Sequence, residues 1–164
     1  MRIYKFLIIF LLFLSSCDND ISIPNIFEAK VIGIKDGDTV EVLYEKHPII
    51  IRLSDIDCPE KKQPYGKKAK KFVSDLIFGK EVKIVSKGKK DRWGRLIATI
   101  FINEVNVNKE LVKVGLAMHF KKYSKDQSYA DIEEIAKKNK VGMWEQENVI
   151  EPWNYRKHKK KHNR

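Results

Sequence analysis

The chain has 164 residues, 43% of them hydrophobic and 34% charged, with a net charge of +11 at pH 7. That length gives about one small domain with a single core. Two cysteines exclude a disulfide framework of any size, and the basic excess points to polyanions, either nucleic acid or anionic membrane, without choosing between them.

The charge is unevenly placed. Residues 1–16 carry +2 and residues 156–164 carry +6, which leaves +3 for residues 17–155. Arg2 and Lys5 precede a continuous apolar run from Phe6 to Leu14. A charged start followed by a short apolar stretch reads as a secretory signal, too short for a comfortable membrane span. The ending Leu14-Ser15-Ser16-Cys17 resembles a bacterial lipobox. That resemblance implies a signal peptide over 1–16, cleavage before Cys17, lipid on its thiol, and a chain anchored to a membrane of the cell envelope or else secreted. The polar, proline-containing stretch up to residue 25 is expected to be a tether, so the segment 17–25 separates the anchor from a domain over 26–155.

Period-two alternation predicts strands over Phe27–Ile34, Thr39–Tyr44, Ile49–Leu53, Glu81–Lys87 and Leu96–Ile102. Asp36-Gly37, Glu45 to Pro48 and Asn103-Glu104 supply turns, and two prolines make Asp57 to Pro64 a loop. Gly88 to Gly94 reads as a flexible basic turn. The clearest helix is Tyr65–Phe78, where Ala69, Phe72, Val73, Leu76 and Ile77 recur at helical spacing and Gly79 supplies the stop. Its lysine face reads as solvated more readily than as a nucleic-acid contact. A short helix lies within Val105–Val114, ended by Gly115. A third runs over Ser128–Lys140 with Ser128 as its cap. Five strands with a helix after the third and two more at the end predict an α+β domain dominated by a closed five-stranded OB-type barrel with three helices. The tail over 156–164 has no apolar face and is expected to be disordered, either gripping nucleic acid, gripping anionic lipid or solvating the chain end.

The chemistry concentrates between Asp36 and Glu60, where seven acids (Asp36, Asp38, Glu41, Glu45, Asp55, Asp57 and Glu60) and Arg52 fall within 25 residues. Asp38 and Asp57 lie at the edges of two apolar runs. If those runs pair as antiparallel strands, the two carboxylates meet at one end, a hard-oxygen set that suits Ca²⁺ or Mg²⁺ and not zinc. The bland use of Asp38 is as a turn residue beside Gly37. Arg52 sits mid-strand between Ile51 and Leu53, where a charge needs a partner. Arg95 follows Gly94 at a strand start, and the two arginines can grip a phosphate bidentately. Glu60 follows Pro59, which stiffens the loop that presents it.

Asp36-Gly37-Asp38-Thr39, Ile51-Arg52-Leu53 through Asp57-Cys58-Pro59-Glu60, Asp91-Arg92-Trp93-Gly94-Arg95 and Val141-Gly142-Met143-Trp144 resemble the staphylococcal nuclease family in order and spacing, over roughly Phe27 to Trp153. The resemblance implies the OB barrel and a nuclease acting on DNA and RNA without regard to sugar, leaving 3′-phosphates. It also implies one Ca²⁺ held by Asp38, Asp57 and the backbone carbonyl of Cys58. Arg52 and Arg95 would clamp the phosphate and Glu60 would serve as general base or orient the water. Thr39 would bond metal water or Asp38, and Asp36 would support it or act only as the turn acid. The chain departs from the family where Trp93 stands before Arg95, either stacking on a base or packing on the barrel rim. Tyr123, with Phe120 the alternative, is the candidate nucleotide-contacting aromatic. His119 has no ligand partner nearby in sequence and receives no role. Trp144, Trp153 and Met143 read as packing residues, and Cys58 as a small buried one. A monomer is expected. The rival readings are an OB barrel that holds nucleic acid without cutting it, and a structural lipoprotein whose basic tail binds lipid.

Overall fold

The computed structural model describes residues 22–162. The signal over 1–16, Cys17 and most of the tether lie outside them. Among the described residues a barrel is built from β1 (Ile26–Asp36), β2 (Thr39–Tyr44), β3 (His47–Leu53), β5 (Glu81–Lys90) and β6 (Leu96–Ile102). Neighbours run β3-β2-β1-β5-β6, all antiparallel, and a parallel β3–β6 pairing of Ile51, Arg52 and Leu53 with Leu96, Ile97 and Ala98 closes the ring. The alternating residues Phe27, Ala29, Val31, Val40, Val42, Ile51, Leu53, Val82, Ile84, Ala98 and Ile100 all turn inward and are buried. Burial of each larger aliphatic among them contributes about 1.5–3 kcal/mol, so the two-residue period fixes the register.

The strands exceed the expected ones at several ends. β1 continues to Asp36 and β5 to Lys90, so only the tip of the basic segment after Gly88 is a turn. β3 starts at His47 because Glu45 and Lys46 both take left-handed φ values of 48° and 69° and close the hairpin in two residues. Asp57, expected in a loop, belongs to a two-residue strand β4 (Ile56–Asp57) that pairs with β8 (Met118–His119). A brief β7 (Val105–Asn106) pairs with the end of β6.

Helix α1 (Gly66–Ile77) buries Gly66, Ala69, Val73 and Ile77 against the barrel and leaves Lys67, Lys68 and Lys71 exposed. Helix α2 (Val107–Lys113) is capped by Asn106, whose side chain accepts from the Lys109 amide. Asn108 fastens α2 to the barrel. Its Nδ2 donates to the Ser54 carbonyl at 3.0 Å and its Oδ1 accepts from the Ile100 amide at 3.2 Å. That pins the turn leading into β4. Helix α3 (Gln127–Lys138) begins one residue early, because Asp126 and not Ser128 accepts the first free amide, from Ser128 at 2.9 Å. A 3₁₀ turn follows over Gly142–Glu145.

The tail departs most from expectation. Instead of disorder after Tyr155, a fourth helix, α4, runs Pro152–His162, so the described barrel carries four α-helices and not three. It has no amphipathic stripe to announce it. Two side chains hold it instead. The Trp153 ring stacks on Phe120 with centroids 5.3 Å apart and planes 2° from parallel, and Arg156 enters the acid cluster described next.

Candidate active site

Strand pairing brings the acids together. Asp36 and Thr39 face each other across the β1–β2 turn, and Thr39 faces Arg52 across β2–β3. The parallel β3–β6 pairing then places Arg95, just ahead of Leu96, at the same end of the barrel. Gly37 is required in that turn, since a Cβ there would lie 2.7 Å from the Ala69 Cβ and 3.0 Å from the Cys58 Sγ. Gly66 plays the same part for the Glu60 loop, where a Cβ would overlap the Glu60 carbonyl. Gln63 further braces that loop, accepting from the Glu60 amide at 3.1 Å and donating to the Ile150 carbonyl at 2.6 Å.

Asp38 and Asp57 converge on one nitrogen. Arg52 Nη2 lies 3.0 Å from Asp38 Oδ2 and 2.9 Å from Asp57 Oδ1, while its Nη1 donates to the carbonyls of Leu53 at 2.7 Å and Ile56 at 3.1 Å. Asp38 also accepts from the Cys58 amide at 2.8 Å and the Thr39 hydroxyl at 3.2 Å. Arg95 is held by Asp91 at 2.6–2.7 Å and donates to the Thr39 hydroxyl at 3.2 Å. Arg156 closes the other side. Its Nη2 is 2.6 Å from Asp57 Oδ2 and its Nη1 is 2.7 Å from Glu60 Oε1. One connected network thus runs Arg95–Thr39–Asp38–Arg52–Asp57–Arg156–Glu60.

Burial shapes its charge. Asp36, which accepts from the Asp38 amide at 3.2 Å, is pushed up to about 6 by burial and by the Asp38 charge. Burial also pushes the Asp57 carboxyl up, against the pull of Arg156 and Arg52. Burial works to lower Arg52, but Asp38 and Asp57 outweigh it and hold the guanidinium charged. The free thiol of Cys58 is buried and, for that reason, pushed well above its ordinary range, which makes it an unreactive packing residue.

Among the described residues no three His, Cys, Asp or Glu side chains form a ready-made metal cluster. The donor set nonetheless fits a hard cation. Two carboxylates meet without a thiolate or imidazole ligand, and Ca²⁺ takes such oxygens together with backbone carbonyls and water.

Of the residues expected at the site, Asp36, Asp38, Thr39, Arg52, Asp57, Cys58, Glu60 and Arg95 all stand in or against the network. Trp93 reaches it only through Arg95, whose guanidinium lies 4.9 Å from the ring centroid. Arg92 stacks on the same ring at 4.1 Å, and the indole is 65% exposed. Tyr123 stands outside the network. Its exposed ring packs edge-on against Phe120 at 4.9 Å, and the Phe120 amide donates to the Asp55 carbonyl at 2.8 Å. Arg156 was not anticipated. The one available signal was Pro152 at a helix first turn, followed by Trp153 and Tyr155, ahead of the basic run.

The staphylococcal nuclease homologue model matches residues 50–146, more than half of the chain. This chain belongs to the staphylococcal nuclease family. Its relatives include a Haemophilus influenzae protein named uncharacterized endonuclease, 41% identical over 132 residues, 80% of this chain and 74% of that protein. The micrococcal nuclease of Shigella flexneri is 33% identical over 142 residues, 80% of this chain and 81% of its own length. The staphylococcal-like nuclease CAN1 of Arabidopsis thaliana is 39% identical over 120 residues, 73% of this chain but 36% of that larger protein.

Proposed function

We propose that this nuclease hydrolyses phosphodiester bonds of both DNA and RNA in a Ca²⁺-dependent reaction that leaves 3′-phosphates. The observation that carries the reading is the convergence of Asp38 and Asp57 on Arg52, with Glu60 and Arg95 at opposite ends of the same network. Hydrolysis of a phosphodiester demands that its charge be neutralised, a water be made nucleophilic and the crowded phosphorus be stabilised. Asp38, Asp57 and the Cys58 carbonyl would hold the Ca²⁺, which supplies positive charge against a phosphate oxygen when bound. Arg52, on β3, and Arg95, in the turn just ahead of the neighbouring β6, present donor forks that phosphate oxygens match better than they match a lysine. Both guanidiniums already bond carboxylate oxygens, which holds their forks in fixed orientations beside the acids. Glu60, on a loop braced by Pro59 and Gln63, accepts a proton from the attacking water or orients it. Thr39 holds Asp38 in place, Asp36 backs the turn, and Trp93 and Tyr123 offer exposed aromatic faces to bases.

We also propose a monomer tethered to the bacterial envelope, outside the cytoplasm, by lipid on Cys17, the anchor resting on the lipobox-like ending Leu14-Ser15-Ser16-Cys17. Metabolic labelling with a radioactive fatty acid tests the anchor, and label that persists in Cys17→Ala would refute it. The activity is tested with the purified full chain on single-stranded DNA and RNA, in Ca²⁺ and then in EDTA, with end-group analysis of the products. The expected outcome is cutting in Ca²⁺ alone, lost in Glu60→Gln and Arg95→Ala. Cutting that persists in EDTA, or products with 5′-phosphates, would overturn the reading.

A further inference from the structure

Both oxygens of Asp57 already face guanidiniums. Oδ1 lies 2.9 Å from Arg52 Nη2 and 3.3 Å from Arg156 Nη1, and Oδ2 lies 2.6 Å from Arg156 Nη2. The Asp57 side chain is 1% exposed, so solvent offers it no further partner. A cation can therefore reach Asp57 only where an arginine gives way.

The two arginines are not equally free to do so. Arg52 is locked into the barrel, with its second nitrogen on two backbone carbonyls and its side chain 14% exposed. Among the described residues the Arg156 side chain bonds no backbone carbonyl, it is 38% exposed, and it rides on the last helix of the described chain. Leaving Asp57 takes it into water, where a guanidinium is well hydrated. Leaving would also release Glu60, since the same fork holds both acids. While Arg156 is bound, the burial that would lower it is outweighed by its hydrogen bonds to Asp57 and Glu60, and in water a guanidinium is charged in any case.

We infer that Arg156 is a positioning residue that competes with the divalent cation for Asp57. In the cation-free protein it neutralises Asp57 and draws Glu60 to the same fork, and α4 is latched onto the barrel. When the acids take a cation, Arg156 lets go of Asp57, Glu60 becomes free to face water, and α4 loosens. The inference rests on the Ca²⁺-site reading above. Its physical basis is that a guanidinium within hydrogen-bond distance of a ligand oxygen repels a doubly charged ion at that oxygen.

The test is calorimetric titration of Ca²⁺ into the nucleic-acid-free full chain, with wild type, Arg156→Gln and Arg156→Lys compared. Loss of the opposing charge should tighten Ca²⁺ binding about tenfold or more in Arg156→Gln, with Arg156→Lys between the two. A second readout needs no variant. Hydrogen exchange at amides of 153–159 should quicken when Ca²⁺ is added to wild type, and should already be fast in Arg156→Gln. If the variant loosens the fold, the wild-type exchange result alone decides. Equal or weaker Ca²⁺ binding in Arg156→Gln, or exchange in α4 that is unchanged or slowed by Ca²⁺, would overturn the competition and leave the Ca²⁺ site standing. Ca²⁺ binding to none of the three proteins would overturn both.

Discussion

Arg52 is the point at which fold and site are inseparable, and its replacement gives the sharpest test. In Arg52→Met the methionine keeps most of the buried stem but removes two ion pairs, at 3.0 and 2.9 Å, and two hydrogen bonds to backbone carbonyls. Asp38 then keeps the Cys58 amide and the Thr39 hydroxyl, and Asp57 keeps Arg156. Both carboxylates stay buried. Breaking a buried pair from one side costs about 3–5 kcal/mol, because the stranded charge is not resolvated. That is a large share of the roughly 5–15 kcal/mol that holds a small domain together. For a chain of this size it amounts to a drop of about 10 °C or more in Tm. The assay is urea unfolding in EDTA, followed by tryptophan fluorescence. Asp57→Asn added to Arg52→Met should recover stability, with a coupling of about 1–3 kcal/mol in the double-mutant cycle. A single-variant loss below about 1 kcal/mol would mean that water screens the cluster as it screens surface pairs, and the argument from burial would fail.

Three further outcomes are expected. Arg95→Ala should lower the rate of DNA hydrolysis by about 10² to 10³ while moving Tm little, since Arg95 is partly exposed and its partner Asp91 has other donors; hydrolysis rate and thermal melt together check this. Asp36 is raised in the fold, to about 6, so the fold binds its proton more tightly than the unfolded chain does, and the metal-free protein loses stability as pH rises from about 4 to about 6. Asp36→Asn should therefore gain on wild type by roughly 2 kcal/mol between pH 4.5 and pH 7 in EDTA, and a gain independent of pH would contradict the burial argument. Gly115 has φ of 64°, and a Cβ there would overlap the Val141 carbonyl, so Gly115→Ala should destabilise by about 2–4 kcal/mol in urea unfolding.

The barrel was legible because its information is local. Alternation such as Val40, Val42 or Ile49, Ile51, Leu53 reports which face of each strand is inward, and any fold that uses those strands must bury the same set. Helix α1 was legible for the same reason, at a period of 3.6. The ends were less so. Left-handed turns at Glu45-Lys46 carry no glycine to announce them, and β4 and β8 are too short to alternate, existing only because each supplies the other's partner.

Much of the site was also readable, since an arginine in the middle of an apolar strand and two aspartates at strand edges are costly unless they meet. What composition fixed by itself is an alternating, mildly basic body with one acid-rich turn and a strongly basic end. Tertiary structure alone decided the fate of that end. A run of lysines and histidines has no apolar stripe, so nothing within it favours one helix face over another. The helix is oriented by two distant partners, Phe120 beneath Trp153 and the Asp57–Glu60 pair beneath Arg156. Those partners lie 33 and nearly 100 positions away along the chain, beyond the reach of any local pattern, and only closure of the barrel sets them side by side.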